Sequence, residues 1–173
     1  MADVNKLLPL ILKFEGGYVN NKSDLGKCTN MGVTLQTWQA HGHDKNGDGV
    51  IDCEDVKLLT VNDVAPILKN QYWDVWKADS INNQSIANIL VDWYWGSGSY
   101  GIKLPQRVLG VTQDGVVGPA TISAINNANQ EQLFNNIIQA RLQFYKNIIA
   151  SNPSQSIFLQ GWNNRTNSYK FQA

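Results

Sequence analysis

At 173 residues and 19.3 kDa the chain has the size of one ordinary domain, which excludes both a stapled mini-scaffold and a multidomain machine. Hydrophobic residues make up 43% and charged residues only 16%, with 14 basic side chains against 14 acidic ones, so neither a disordered tail nor a nucleic-acid-binding surface is expected. In place of charge stand amide runs (Asn82-Asn83-Gln84, Asn126-Asn127, Asn135-Asn136) and 6 Trp, 6 Tyr and 5 Phe, a surface chemistry suited to a neutral, hydroxylated ligand such as a glycan.

In chain order, Val4, Leu7, Leu8, Ile11, Leu12 and Glu15 recur at helical spacing, which predicts an amphipathic helix from about Asn5 to Glu15, stopped by Gly16-Gly17. Pro9 fits such a helix only in its first turn, where the missing N–H costs nothing. The apolar run Leu7–Leu12 is short for a signal-peptide core and lacks a basic stretch before it, and no span reaches the roughly 18 apolar residues of a membrane helix. Synthesis in the cytoplasm without a signal peptide is therefore expected. Residues 18–34 are polar and lack helical period, so a loop or short hairpin follows. Weak helical spacing resumes over 35–40, and after the acidic stretch 44–55 helices are expected at about 63–76, 83–95, 121–126 and 130–150, with an apolar-aromatic stretch at 157–162. Asn62 or Asp63 is expected to cap the first of these, and Pro119 to start the third. The chain reads as mainly α, with one irregular or β region after the first helix.

Glu15 falls on the same stripe as the apolar face of its helix, where partial desolvation favours the neutral acid that a general acid near neutral pH needs. The alternative is a helix-end Glu reaching to water. Asp24, nine residues on, sits among polar groups that keep it ionised; one neutral and one charged carboxyl is the pairing that glycoside hydrolysis uses. Trp93-Tyr94-Trp95 and Tyr100 offer aromatic faces for sugar stacking, although neighbours on a helix point apart and at least one must be core. Asp92, between Val91 and Trp93, is either a buried hydrogen-bond hub or a second active-site carboxylate, and Arg165 either pairs with it or caps a helix end.

The stretch Asp44–Asp55 carries side-chain oxygens at Asp44, Asn46, Asp48, Asp52 and Asp55, a backbone carbonyl position at Val50, Gly49 at the turn and Ile51 after Val50. That is the spacing of a twelve-residue calcium loop, with Asp55 in place of the closing Glu. A single loop predicts a structural Ca2+ rather than a regulatory one; the alternative is a tight Asp/Asn/Gly turn without an ion. His41 and His43 read as exposed turn residues. Cys28 and Cys53 are too few for a disulfide framework and have no CxxC spacing, so they read as free thiols, with their separation in space left open.

Glu15-Gly16-Gly17-Tyr18-Val19-Asn20 and Thr29-Asn30-Met31-Gly32-Val33-Thr34 resemble the signature of glycoside hydrolase family 108, N-acetylmuramidases of bacteria and phages. Similarity continues through Tyr72-Trp73, Leu90-Val91-Asp92, Gly115–Pro119 and Gly161–Arg165. The resemblance implies a lysozyme-like helical fold, hydrolysis of the β-1,4 bond between N-acetylmuramic acid and N-acetylglucosamine, and Glu15 as the catalytic acid. Glu15, Asp24 and Thr29 resemble the Glu/Asp/Thr triad of phage-type lysozymes, with Asp and Thr one residue closer here, so Thr29 or Asn30 is expected to position water. Tyr18, Asn30, Asp92, Trp93 and Tyr100 are the expected substrate contacts, Asp92 as a support residue. Leu109-Gly110 with Asp114-Gly115 and Gly118-Pro119 looks like the motif of predicted peptidoglycan-binding segments. Residues 1–100 are expected to form the catalytic subdomain and 101–173 a binding subdomain, with a cleft between them. The implied agent is a monomeric phage-type endolysin, or a related secretion-associated enzyme, acting on peptidoglycan glycan strands. It would reach the bacterial wall through a membrane-permeabilising holin-type partner, with no nucleic acid or membrane insertion involved. Lytic transglycosylation and a non-catalytic calcium-dependent wall-binding module are the rival readings.

Overall fold

The computed structural model describes residues 1–20 and 28–173. Helix α1 runs Val4–Phe14 and buries Leu7 and Ile11, four residues apart on one stripe. Pro9 lies inside it rather than in its first turn. The ring removes one N–H bond there, a cost borne by the burial of the Leu7/Ile11 stripe.

Two compact units follow from the chain's contacts, Asn5–Gln71 and Met1–Val4 together with Tyr72–Ala173. In the first, strands β1 (Val19–Asn20), β2 (Cys28–Asn30) and β3 (Val33–Thr34) form an antiparallel sheet in that order. Val19 pairs with Thr29, and Asn30 pairs with Val33 across the two-residue turn Met31-Gly32. Both turn residues have positive φ, 47° and 79°, the geometry whose twist matches a tight hairpin. Helices α2 (Leu35–His41), α3 (Cys53–Lys57) and α4 (Val61–Leu68) complete this unit. Thr34 caps α2 by accepting the Thr37 N–H at 3.2 Å. The cap of α4 is Thr60, not Asn62 or Asp63; Asp63 instead accepts the Thr60 N–H at 2.7 Å from the third helical position. Trp38 is buried and donates to the His43 carbonyl at 3.0 Å, and a Cβ on Gly42 would run into its indole.

Cys28 and Cys53 form a disulfide, with Cα atoms 5.8 Å apart, which corrects the reading as free thiols. Their separation of 25 residues hides the proximity that the hairpin creates by turning β2 back toward α3.

The second unit is built on α5 (Gln84–Ser97), in which Ser85 to Trp93 are all buried. A helix buried on every side belongs at the centre of its unit. Asn83 caps it, its side-chain oxygen accepting from Ser85 and Ile86 N–H. Against it pack α6 (Tyr100–Leu109) and α8 (Gln130–Ser151), while α7 (Pro119–Asn127) joins α6 and α8, and α9 (Leu159–Ser168) lies on α8. Gly101 permits the close α5/α6 crossing, because a Cβ there would meet the backbone of Trp93 and Tyr94. The mainly helical architecture with one small sheet is lysozyme-like.

Candidate active site

Glu15 follows directly on α1, its N–H still bonded to the Ile11 carbonyl at 3.2 Å, and its side chain is half-buried. The next residue, Gly16, accepts the Met31 N–H at 3.2 Å, so the turn after Glu15 is stitched to the β2–β3 hairpin. The Glu-Gly-Gly segment and the Thr-Asn-Met-Gly segment, far apart in the chain, thus form one local structure. Tyr18, half-buried, lies between Glu15 and β1.

Alternation along β2 separates the two candidate water-positioners. Cys28 and Asn30 are buried, and Thr29 between them belongs to the other face of the sheet and is half-exposed. The Asn30 amide donates to the carbonyls of Val56 at 2.9 Å and Lys57 at 3.3 Å. The Asn30 amide thus ties the hairpin to the end of α3. Asp24 lies outside the described residues.

Asp92 and Trp93 also belong to the interior. Trp93 is fully buried in α5 and presents no face to a ligand. Asp92 is fully buried too, accepting from Arg141 Nη1 at 2.8 Å and from Arg165 Nη2 at 2.7 Å. Burial raises its pKa, and the Arg141 and Arg165 guanidiniums outweigh that and hold it below the usual carboxylate range. Both side chains thus lie in the interior, Asp92 as the support residue expected of it. Asp92 is the buried hub, and Arg165 its partner rather than a helix cap. Arg141, which the sequence reading missed, is equally buried and passes a second bond from Nε to the Tyr145 hydroxyl at 2.7 Å. Its signal was available: Phe134, Ile137, Ile138, Arg141 and Tyr145 form one buried stripe of α8, and an arginine on such a stripe needs an acidic partner. Exposed aromatic surface lies beside these positions. Tyr94 and Trp95 are half-exposed and both touch Tyr72, with ring centroids 5.3 and 4.6 Å apart, and Tyr100 is exposed.

The 44–55 loop is folded around its own side-chain oxygens. Asp44 accepts the N–H groups of Gly47 and Gly49 at 2.6 and 2.7 Å, Asn46 accepts from Asp48 at 2.9 Å, and Asp48 from Val50 at 2.9 Å. Gly47 and Gly49 take the positive φ that these turns require. Asp55, with no accessible surface, closes the loop by accepting from Lys45 N, Asn46 N and Asp52 N at 2.6, 3.2 and 2.9 Å. Among the described residues no three acidic, His or Cys side chains converge on one point. The loop keeps the hard-oxygen side chains and the spacing of a calcium loop, with the Asp44 and Asp55 carboxylates turned to the loop's own N–H groups. His41 and His43 are exposed.

In the Leu109–Thr121 stretch, Asp114 accepts from the Gln106 amide at 2.8 Å and the Val116 N–H at 2.9 Å, and the buried Gln106 accepts the Gly115 N–H at 2.9 Å. The motif's acid thus shapes a turn between α6 and α7.

Residues 8–98 match the family model for Glycosyl hydrolase 108, and residues 100–167 match the one for a Predicted Peptidoglycan domain. No curated protein gives a significant match. Among solved structures, that of Brucella abortus SagA is similar at a TM-score of 0.76 and 30% sequence identity, covering 95% of this chain and 90% of that one. The two family models meet at residues 98–100, whereas the compact units part at Gln71/Tyr72.

Proposed function

Given that the chain belongs to the glycosyl hydrolase 108 family and carries a peptidoglycan domain, we propose that this peptidoglycan hydrolase is an N-acetylmuramidase that uses Glu15 as its acid. The observation that carries the reading is the stitching of the Glu15 turn to the hairpin bearing Thr29 through the Gly16–Met31 bond. That bond ties the turn after the half-buried Glu15 to the strand pair that carries Thr29, which is half-exposed on the face away from Cys28 and Asn30.

In the proposed reaction the protonated Glu15 carboxyl gives its proton to the glycosidic oxygen between N-acetylmuramic acid and N-acetylglucosamine as that bond breaks. Asp24 takes a proton from a water oriented with the help of Thr29. The water attacks the anomeric carbon from the opposite sugar face, so the anomeric configuration inverts. This geometry calls for carboxyl groups roughly 6.5–9.5 Å apart, against about 5–5.5 Å for a retaining nucleophile. In this reading Tyr18 and the exposed Tyr100 serve as substrate contacts.

The 44–55 loop belongs to the same reading as a structural element. Asp44, Asn46, Asp48, Asp52 and Asp55 side chains with the Val50 carbonyl would hold a Ca2+, which would supply fixed charge to the loop and no step of the reaction. The phage-type endolysin role, release through a holin-type partner and action as a monomer rest on the family resemblance alone. Among the described residues no helix is long and apolar enough to cross a membrane.

The test is clearing of purified peptidoglycan by wild type and Glu15→Gln side by side, with mass spectrometry of the products. Wild type should clear the suspension and leave reducing-end muramic acid, while Glu15→Gln should lose at least about 100-fold in rate, the low end for a general acid. Anhydro-sugar ends would instead make the enzyme a transglycosylase. Binding without clearing by wild type would make it a wall-binding module.

A further inference from the structure

Between Lys146 and Arg165 the chain has no charged residue, yet it contains two of its most exposed apolar side chains, Ile157 at 78% and Phe158 at 47% accessible. Both sit on the 3-10 turn Pro153–Phe158 that leads from α8 into α9. Phe158 is not isolated. The Phe158 ring stacks on Trp162 with centroids 5.9 Å apart, Trp162 lies 5.1 Å from Tyr145, Tyr145 5.7 Å from Phe144, and Phe144 5.3 Å from Tyr100, which is itself 57% exposed. The result is a ladder of five rings, open at both ends, half-open at Phe144 and Trp162, and backed by the buried Tyr145. Tyr145 is fixed by Arg141, which bonds its hydroxyl and also holds Asp92. Rings anchored in this way lose little freedom when a ligand lies on them.

The chemistry of the face selects its ligand. An apolar patch of this kind on a soluble chain marks a binding surface. Residues 147–164, which carry the Phe158–Trp162 end, supply amides and hydroxyls, among them Asn152, Ser154, Gln160 and Asn163, and no charged side chain. Pyranose rings offer C–H faces to aromatic rings, and their hydroxyl and N-acetyl groups pair with amides. The whole ladder also lies inside residues 100–167, which match the Predicted Peptidoglycan domain. We propose that the Tyr100–Phe144–Trp162–Phe158 ladder is a docking platform for the N-acetylated glycan strand of peptidoglycan, separate in sequence from the Glu15 hairpin. The proposal rests on the reading of the chain as a peptidoglycan hydrolase and names the surface that holds the polymer.

The experiment measures co-sedimentation and equilibrium binding of the full chain to glycan strands freed of their peptides by an amidase, in a Glu15→Gln background so that the strands survive. The Ile157→Ser/Phe158→Ala double variant should bind about tenfold more weakly, and Phe158→Tyr, which keeps a ring, should bind like the parent. Both altered positions are exposed, and equal thermal midpoints for the three chains verify that the fold is kept. Undiminished strand binding by the double variant overturns the proposal, as does binding to intact sacculi that disappears once the peptides are removed. Capture by neutral phosphatidylcholine vesicles in place of strands also overturns it, making a lipid surface the ligand. Failure of the hydrolase reading looks different: wild-type chain would leave sacculi uncleared while ladder-dependent strand binding persisted.

Discussion

Asp92 shows how one residue can carry the burden of a unit. Its carboxylate is surrounded by two guanidiniums, one of them as inaccessible as itself. Burying that much charge is stabilising only while the set is complete, because removal of one member leaves the others desolvated and uncompensated. Asp92→Asn should therefore cost about 3–5 kcal/mol in urea denaturation. The pH dependence follows from the direction of the shift. A carboxyl held below its unfolded value contributes fully above about pH 4 and loses that contribution as pH falls through its lower, folded value. Wild type should lose stability on acidification below about pH 4 more steeply than Asp92→Asn, which has no carboxyl to titrate there. Parallel acid-denaturation curves for the two would remove Asp92 from the account. The sequence showed that Asp92 was flanked by apolar residues and that Arg165 was a possible partner. It could not show which residues close the set, because Arg141 and Arg165 lie 49 and 73 positions away.

At the level of elements, periodicity served where a helix has one apolar stripe, as in α1 and α8, and the Glu-Gly-Gly-Tyr motif put Glu15 at the end of the first helix. It could not choose between Thr29 and Asn30. That choice depends on which face of β2 turns inward, which is set by the Met31-Gly32 turn and the pairing register. Asn30 faces in because Cys28 does, two residues before it. The 44–55 loop poses the opposite case, a strong pattern whose occupant is a matter for experiment. If Ca2+ is held there, titration with the ion should give a saturable heat and raise the melting temperature, and Asp48→Ala should abolish both. With a dissociation constant of 10 μM, 1 mM free Ca2+ stabilises by about 2.7 kcal/mol. Absence of heat and of any thermal shift at millimolar Ca2+ would leave the loop as a turn closed by its own N–H groups.

Over the whole molecule, the disulfide and the charge network lie in different units, and they can be perturbed separately. Cys28–Cys53 closes a loop spanning 25 residues of the hairpin-bearing unit, worth about 3.5 kcal/mol in the chain-entropy account. A Cys28→Ser/Cys53→Ser double variant should lose roughly 2–4 kcal/mol, with the loss of amide-exchange protection concentrated in residues 28–59 and α5 and α8 retaining theirs. Uniform loss across α5 and α8 would show that the two units unfold as one. The family models divide the chain near residue 99 and the packing divides it near residue 71, since motifs follow chemistry while units follow buried area.

Those boundaries bear on synthesis. The first four residues belong to the later unit: the Ala2 N–H bonds to the Ile81 carbonyl at 3.0 Å and Asp3 exchanges two bonds with the Gln84 side chain. Residues 5–71 are thus an internal insertion between the two parts of that unit. At translation rates of about 5–20 residues per second, residues 1–4 leave the ribosome roughly 4–16 s before their partners do. The hairpin-bearing unit has that interval in which to form before residues 1–4 meet their partners.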